Sequence, residues 1–491
     1  MPYRVAIIGA GFGGIGMAIA LEQAGIDDFV ILDRADDLGG TWRDNSYPGL
    51  TCDVPSQLYS FSFRPWRWSR RFPARDEILA YLHALVAEHG LGTRLRFNHG
   101  VASAEFDEPR AVWTLTLDDD STLEATAVVC AVGQLGRPIL PDIPGRDDFA
   151  GPSWHSARWN HEVDLNGRRV AVVGTGASAI QFVPEIAKVA SHVDVYQRTP
   201  PYVLPKADRP YRDAELTLFD RVPAVRKADR LRIFLYGELL TSGFVLSPKI
   251  LAAPMAMWRR QLRVISDPEL RAKCVPDYVM GCKRVVFSND WYPALTRPNV
   301  DLVTDQIDWI LPDGVATADG TIRPADVIIY GTGFQATQFL TPMQVSGHGG
   351  VRLHDAWRDG AQAYFGITVS GFPNFFMLYG PNTNLGGNSI IYMLEGQIGY
   401  VLGALRALDQ HRLAWLDVRP DVQEKFNTWI QSASRTSVWE TGCHSWYTVG
   451  GRNINNWPDY TFLYRYRVRR FDLAAYRVMP RQQALAARGA A

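Results

Sequence analysis

Two glycine-rich turns carry the first chemical signal in this chain. Gly9-Ala10-Gly11-Phe12-Gly13-Gly14 follows an apolar run and opens a helical pattern. Residues without side chains let the backbone turn sharply and approach a pyrophosphate, whose charge then sits on the amides of the helix N-terminus. Asp33 lies 24 residues after Gly9, at the end of the next apolar run, where a carboxylate accepts hydrogen bonds from a ribose. Gly174-Thr175-Gly176-Ala177-Ser178-Ala179 repeats the pattern with Ala in the third position, which the fingerprint allows. The same count from Gly174 lands on Arg198, and its neighbours Gln197 and Thr199 are not acidic either. A carboxylate there would repel a 2′-phosphate, whereas a guanidinium pairs with one bidentately, so the second site is expected to prefer NADPH to NADH. Two dinucleotides in one chain suit the passage of a hydride from a nicotinamide to a flavin, and FAD is the expected occupant of the first site. A ligand-free tight turn and a surface Arg198 without a role are the plain alternatives.

Strands and helices must hold these turns. Residues 5–8, 14–23 and 29–32 read as strand, helix and strand, and residues 169–173 and 193–196 begin a second such unit. Residues 127–131 form another apolar run, and the connector 136–145, with Pro138, Pro141 and Pro144, marks a domain boundary. From about 205 to 280 strand character is lost, and Asp267-Pro268-Glu269 supplies a helix start. Residues 327–330 run into Gly331-Thr332-Gly333-Phe334, and the loop from Gly380 to Ser389 feeds a helix over 390–408 that Asn388 or Ser389 can cap. The expected fold class is α/β, with two nested Rossmann-like dinucleotide-binding domains. Residues 1–145 are the first part of the FAD-binding domain, 146–340 an NADP-binding domain with the helical insertion, and 341–491 the second part of the FAD-binding domain.

Composition sets outer limits. At 491 residues the chain is too long for one compact core, and 51 Lys and Arg balance 51 Asp and Glu, which argues for neither nucleic acid nor an anionic membrane surface as partner. Cys52, Cys130, Cys274, Cys282 and Cys443 show no CxxC spacing and read as reduced thiols. The N-terminus enters a strand at once and no apolar run could span a bilayer, so a soluble cytoplasmic protein is expected.

Between the two fingerprints lies Phe149-x-Gly151-x-x-x-His155-x-x-x-Trp159. It resembles the fingerprint of Baeyer–Villiger monooxygenases, flavoproteins that insert oxygen beside a carbonyl. Those motifs usually end in Pro or Asp, where Asn160 stands here. The related flavin-containing monooxygenases lack the Trp. Gly39-Gly40-Thr41-Trp42, followed by Tyr47-Pro48-Gly49 and Asp53, is similar to a second signature of the family, and Gly331-Thr332-Gly333-Phe334 to a third. The resemblance spans residues 7 to about 465. It implies FAD, NADPH and O2 as reactants with a ketone, and an ester or lactone as product by way of a flavin peroxide. That peroxide must stay an anion, and an anion in a dry pocket needs a fixed cation. The resemblance gives this role to Arg284 in Gly281-Cys282-Lys283-Arg284, the 2′-phosphate contact to Lys283, and the tuning of Arg284 to Asp53. It places Thr41, Trp42 and Tyr59 at the flavin, and Trp446 on a loop that closes over NADP. His155 is implied to sit at a domain linker, in a mechanical rather than a catalytic role. Plainer readings remain beside these: Asp53 as a helix N-cap, Trp42, Tyr59 and Trp446 as core aromatics, and Lys283-Arg284 as a solvated basic pair.

Three other functions compete at this stage. A heteroatom oxygenase would make sulfoxides or N-oxides with the same peroxide. An NADPH oxidase or reductase would stop short of oxygenation, although no redox-active cysteine pair stands ready to receive electrons. A nucleotide-binding regulator would bind without turnover. Substrate identity and oligomeric state have no signal in the sequence.

Overall fold

The apolar runs that flank the glycine turns are hydrophobic on both faces, so they require cover on both sides and form the middles of two sheets. In the computed structural model, which describes residues 1–442 and 447–483, the first sheet centres on Tyr3–Ile8. Phe29–Leu32 and then Leu95–Arg96 lie on one side of it and Thr122–Cys130 on the other, all parallel. Val112–Leu117 and Val101–Asp107 extend the sheet antiparallel. The chain re-enters this sheet twice near its end, with Gln344–Ser346 beside Val101–Asp107 and Phe375–Met377 beside Thr122–Cys130.

The second sheet runs Val300–Val303, His192–Tyr196, Arg169–Val173, Val327–Tyr330, Ser153–His155, with every pair parallel. Between His192–Tyr196 and Val300–Val303 the chain leaves as helices Asp213–Arg221, Pro223–Val245, Ala252–Leu262 and Pro268–Lys273. The last begins as its sequence requires: the Asp267 carboxylate accepts from Glu269 N at 3.0 Å and Pro268 occupies the first turn. Strands Ile307–Leu311, Gly314–Thr317 and Ile322–Pro324 form an antiparallel meander that the sequence reading did not separate.

The main core lies against the first sheet. Helix Ile390–Gln410 buries Ile391, Leu394, Ile398, Val401 and Leu405 at a helical period, each such side chain giving about 1.5–3 kcal/mol on burial. The two stretches that cross between the sheets run side by side: Ile139 N donates to Gly333 O at 2.9 Å and Gln335 N to Arg137 O at 2.9 Å. His155 and its motif are not in these crossings, as the resemblance implied, but form the edge of the second sheet. The reason is steric and local. A Cβ at Gly151 would lie 2.6 Å from Asp326 O, so only glycine lets this segment approach the sheet. Trp159 then packs on Trp154 and Phe182 and reaches Tyr47 at 6.5 Å. The His155 ring still touches the crossing, edge-on to Phe334 at 5.5 Å.

Cys52, Cys130 and Cys274 are buried free thiols, whereas Cys282 is disulfide-bonded. That corrects the expectation of five reduced thiols, because spacing along a chain says nothing about cysteines brought together by folding. Among the described residues no helix is long and apolar enough to cross a membrane.

Candidate active site

The glycine turns are shaped as phosphate cradles. Gly9 has φ +107°, and a Cβ there would meet Ala131 O at 2.6 Å. Gly11 is different: a Cβ there would have only the Gly40 Cα near it, at 3.8 Å, so the backbone lies open to the cavity. Helix Phe12–Gln23 starts at Gly11 with no side-chain cap and no acid in its first turn, so its amides are available to an anion. Gly14 does not line the cavity, and a Cβ there would fall 1.8 Å from Gly9 O. Asp33 lines the cavity and also clamps the turn, its carboxylate accepting from Ala10 N at 2.7 Å, Ala35 N at 3.0 Å and Arg43 Nη1 at 3.2 Å. Sequence spacing found Asp33 but not this second duty. Phe12 packs edge-on against Tyr59, which accepts from Trp42 Nε1 at 3.0 Å, and Thr41 borders the same wall.

The second cradle mirrors the first. Gly174 has φ +105° and would carry a Cβ 2.6 Å from Gly331 O, while Gly176 is open to 3.8 Å. Ala177 and Ser178 line the cavity, and Ala179 lies behind it at the start of helix Ala179–Ile186. Thr175 Oγ1 donates to Thr199 O at 3.3 Å, tying the turn to the end of the neighbouring strand. Arg198 and Lys283 meet here. The Lys283 ammonium lies over the Tyr278 ring at 4.9 Å, and burial together with the Arg198 charge lowers its pKa. Neither cation makes an ion pair with a carboxylate among the described residues, so the pair is poised for a multiply charged anion.

Between the cradles, Arg284 Nη2 donates to Asp53 Oδ2, joining residues 231 apart in the chain. Both side chains lie deep in the molecule yet border the cavity, 39% and 26% exposed to it. The Asp53 charge raises the Arg284 pKa against the cost of burial. Burial pushes the Asp53 carboxyl up, but the Arg284 charge and hydrogen bond, with help from Lys206, hold it below the usual carboxylate range. No helix follows Asp53, so the N-cap reading falls away. Lys206 is a residue the sequence reading missed. Its Nζ donates to Thr51 Oγ1 at 2.5 Å over the Phe72 ring at 5.0 Å, and burial lowers its pKa. Tyr379 was missed too: it lines the cavity beside this cluster, its hydroxyl pushed to about 12 by burial. No motif marks either one. Ser389 caps helix Ile390–Gln410, accepting from Ile391 N at 3.3 Å. Trp446 lies outside the described residues, and its neighbour Tyr447 lines the cavity.

One cavity of about 1780 Å³ contains both cradles and the Arg284–Asp53 pair. That exceeds the roughly 300–1,000 Å³ of a single small-molecule pocket and suits two dinucleotides with a substrate. Part of its lining is apolar: Ile233, Leu240, Phe244 and Leu251 from the insertion, together with Leu385 and Ile391.

The pyridine nucleotide-disulphide oxidoreductase family model matches residues 6–212. A Baeyer–Villiger monooxygenase of Pseudomonas aeruginosa is 43% identical over 478 residues, covering 96% of this chain and 91% of its own. A solved structure of an oxidized steroid monooxygenase bound to NADP superposes with a TM-score of 0.88 at 29% identity, covering 98% of this chain and all (100%) of the other. The OTEMO complex with FAD and NADP gives a TM-score of 0.87 at 26% identity, covering 97% and 99%. Two dinucleotide cradles and one carboxylate-paired guanidinium on a shared cavity define an α/β oxidoreductase that couples two nucleotide cofactors. The chain belongs to the Baeyer–Villiger monooxygenase family.

Proposed function

We propose that this chain is an FAD- and NADPH-dependent monooxygenase that inserts one atom of O2 next to a ketone carbonyl, giving an ester or lactone and water. The observation that carries the reading is the Arg284–Asp53 pair, held in the same cavity as both glycine cradles. When bound, NADPH supplies a hydride and FAD uses it to activate O2. The chain's own groups do the rest. Gly9, Gly11 and Gly14 shape the FAD cradle, Asp33 serves the ribose side, and Phe12, Thr41, Trp42, Asp53 and Tyr59 form the adjoining wall. Gly174 to Ala179 cradle NADP, with Arg198, Thr199 and Lys283 at its 2′-phosphate end and Trp446 assigned to a closing loop. Arg284 offers a fixed positive charge wherever negative charge builds at the reacting carbonyl, since a guanidinium keeps its proton at any working pH. Asp53 orients that guanidinium and balances its charge. Residues 1–145 and 341–491 form the FAD domain and 146–340 the NADP domain. A cytoplasmic setting, where NADPH is regenerated, supplies the hydride donor.

The test is product mass from purified protein given FAD, NADPH, oxygen-18 gas and a panel of ketones and thioethers. The expected product is an ester carrying one heavy oxygen, and sulfoxide with no ester would overturn the reading. Arg284→Ala should still consume NADPH but release hydrogen peroxide in place of ester. Ester formed by that variant at the normal rate would remove Arg284 from its role.

A further inference from the structure

The balance of charge over the whole chain conceals a separation. From Pro223 to Arg263, across two insertion helices and the turn between them, there are eight Lys and Arg against two Asp and Glu, leaving 43 against 49 elsewhere. One of those two acids, Glu238, is buried against Asn388 and Thr461. This basic unit also carries an unpartnered apolar stripe. On helix Pro223–Val245, Leu231, Leu235 and Leu239 follow one another four residues apart, so they share a face, and each is more than half exposed. Lys227 heads the same row, and Arg232 and Tyr236 flank it. Leu246 and Ile250 continue exposed apolar surface past the end of the helix. The stripe leads to the cavity. Tyr236 is 52% exposed and also lines it, and Ile233, Gly237 and Leu240, on the opposite side of the same turns, form part of its apolar wall.

We propose that this helix face seats on an anionic lipid surface, with the substrate end of the cavity next to the bilayer. A row of leucines with Lys and Arg at its margins matches acyl chains below and anionic headgroups beside them. The acidic remainder of the molecule is repelled by the same surface, which fixes the orientation. A second copy docking through the same face would set two basic units against each other, so charge favours lipid over an isologous dimer. The substrates reached this way are apolar ketones that partition into membranes. The docking does not depend on the oxygenation reading, because it is measured without turnover.

The experiment is flotation of the FAD-loaded enzyme with phosphatidylcholine vesicles, with and without phosphatidylglycerol, in low and high salt. The enzyme should bind the phosphatidylglycerol vesicles at least about tenfold more strongly and be released by high salt. Leu235→Asp with Leu239→Asp should abolish flotation while NADPH oxidation with a water-soluble ketone is unchanged. Lys227→Glu with Arg232→Glu, which adds no charge to the apolar row, should weaken flotation by about tenfold and serves if the first variant misfolds. No flotation with anionic vesicles overturns the proposal, as does flotation that both variants retain. A dimer in light scattering that the leucine variants dissolve, with no flotation, would assign the face to a second copy instead.

Discussion

At the residue scale, the site is a set of charges that folding holds in place before any ligand arrives. Arg198 and Lys283 are the clearest case, because burial and their mutual repulsion lower the Lys283 pKa with no carboxylate in ion-pair reach of either among the described residues. A 2′-phosphate relieves that repulsion and a bare ribose does not. Arg198→Ala or Lys283→Ala should therefore raise KM for NADPH about 10- to 100-fold, the equivalent of one lost charge-assisted contact, and leave KM for NADH nearly unchanged. Steady-state kinetics with both nucleotides decide it, and an equal rise for both would mean a general loss of fold. Arg284 and Asp53 follow another logic, since each holds the other ionised, and the first is held so firmly that ester formation should show no alkaline limit from its titration.

At the scale of elements, the two glycine turns look interchangeable in sequence and are not. The second carries a side chain, Ala179, in its third position, at the start of helix Ala179–Ile186. The first has no such room, since a Cβ at Gly14 would lie 1.8 Å from the carbonyl oxygen of Gly9. Gly14→Ala should cost about 1–3 kcal/mol and loosen FAD, whereas Ala179→Gly should cost only the helix-propensity difference, about 1 kcal/mol. Thermal melts with flavin fluorescence compare the two, and an unchanged melt for Gly14→Ala would show that the turn can relax. The insertion helices make a related point: only the fold separates their buried apolar row from the exposed one.

At the scale of the molecule, the two sheets communicate through paired crossings, and His155 rests against one of them at Phe334. Burial lowers the His155 pKa from 6.5 to about 4, with Ala157 N donating to Nδ1 at 3.1 Å. The ring is therefore neutral in the fold, while in the unfolded chain it takes up a proton near its ordinary value. Stability from this group is complete above about pH 6.5 and is lost as pH falls from there toward 4, with a slope of up to ~1.4 kcal/mol per pH unit. Denaturant melts between pH 4 and 7 should show that slope, and His155→Gln should flatten it. A variant with the wild-type slope would place the proton uptake elsewhere.

The sequence alone settled whatever depends on neighbours along the chain. Both glycine turns and the strands feeding them were legible, because a tight strand-to-helix turn is a local object whose glycines and spacing are fixed by backbone geometry. The helical insertion and the Pro268 helix start were legible for the same reason. Arg284 and Asp53 were reachable only through family resemblance, as nothing local ties residues 231 apart. Lys206, Tyr379, the disulfide at Cys282 and the true seat of His155 had no local signal. They are products of long-range packing, as is the sorting of a neutral chain into a basic, apolar-striped insertion and an acidic body. Charge and hydrophobicity summed over a sequence lose direction, and only the tertiary structure restores it.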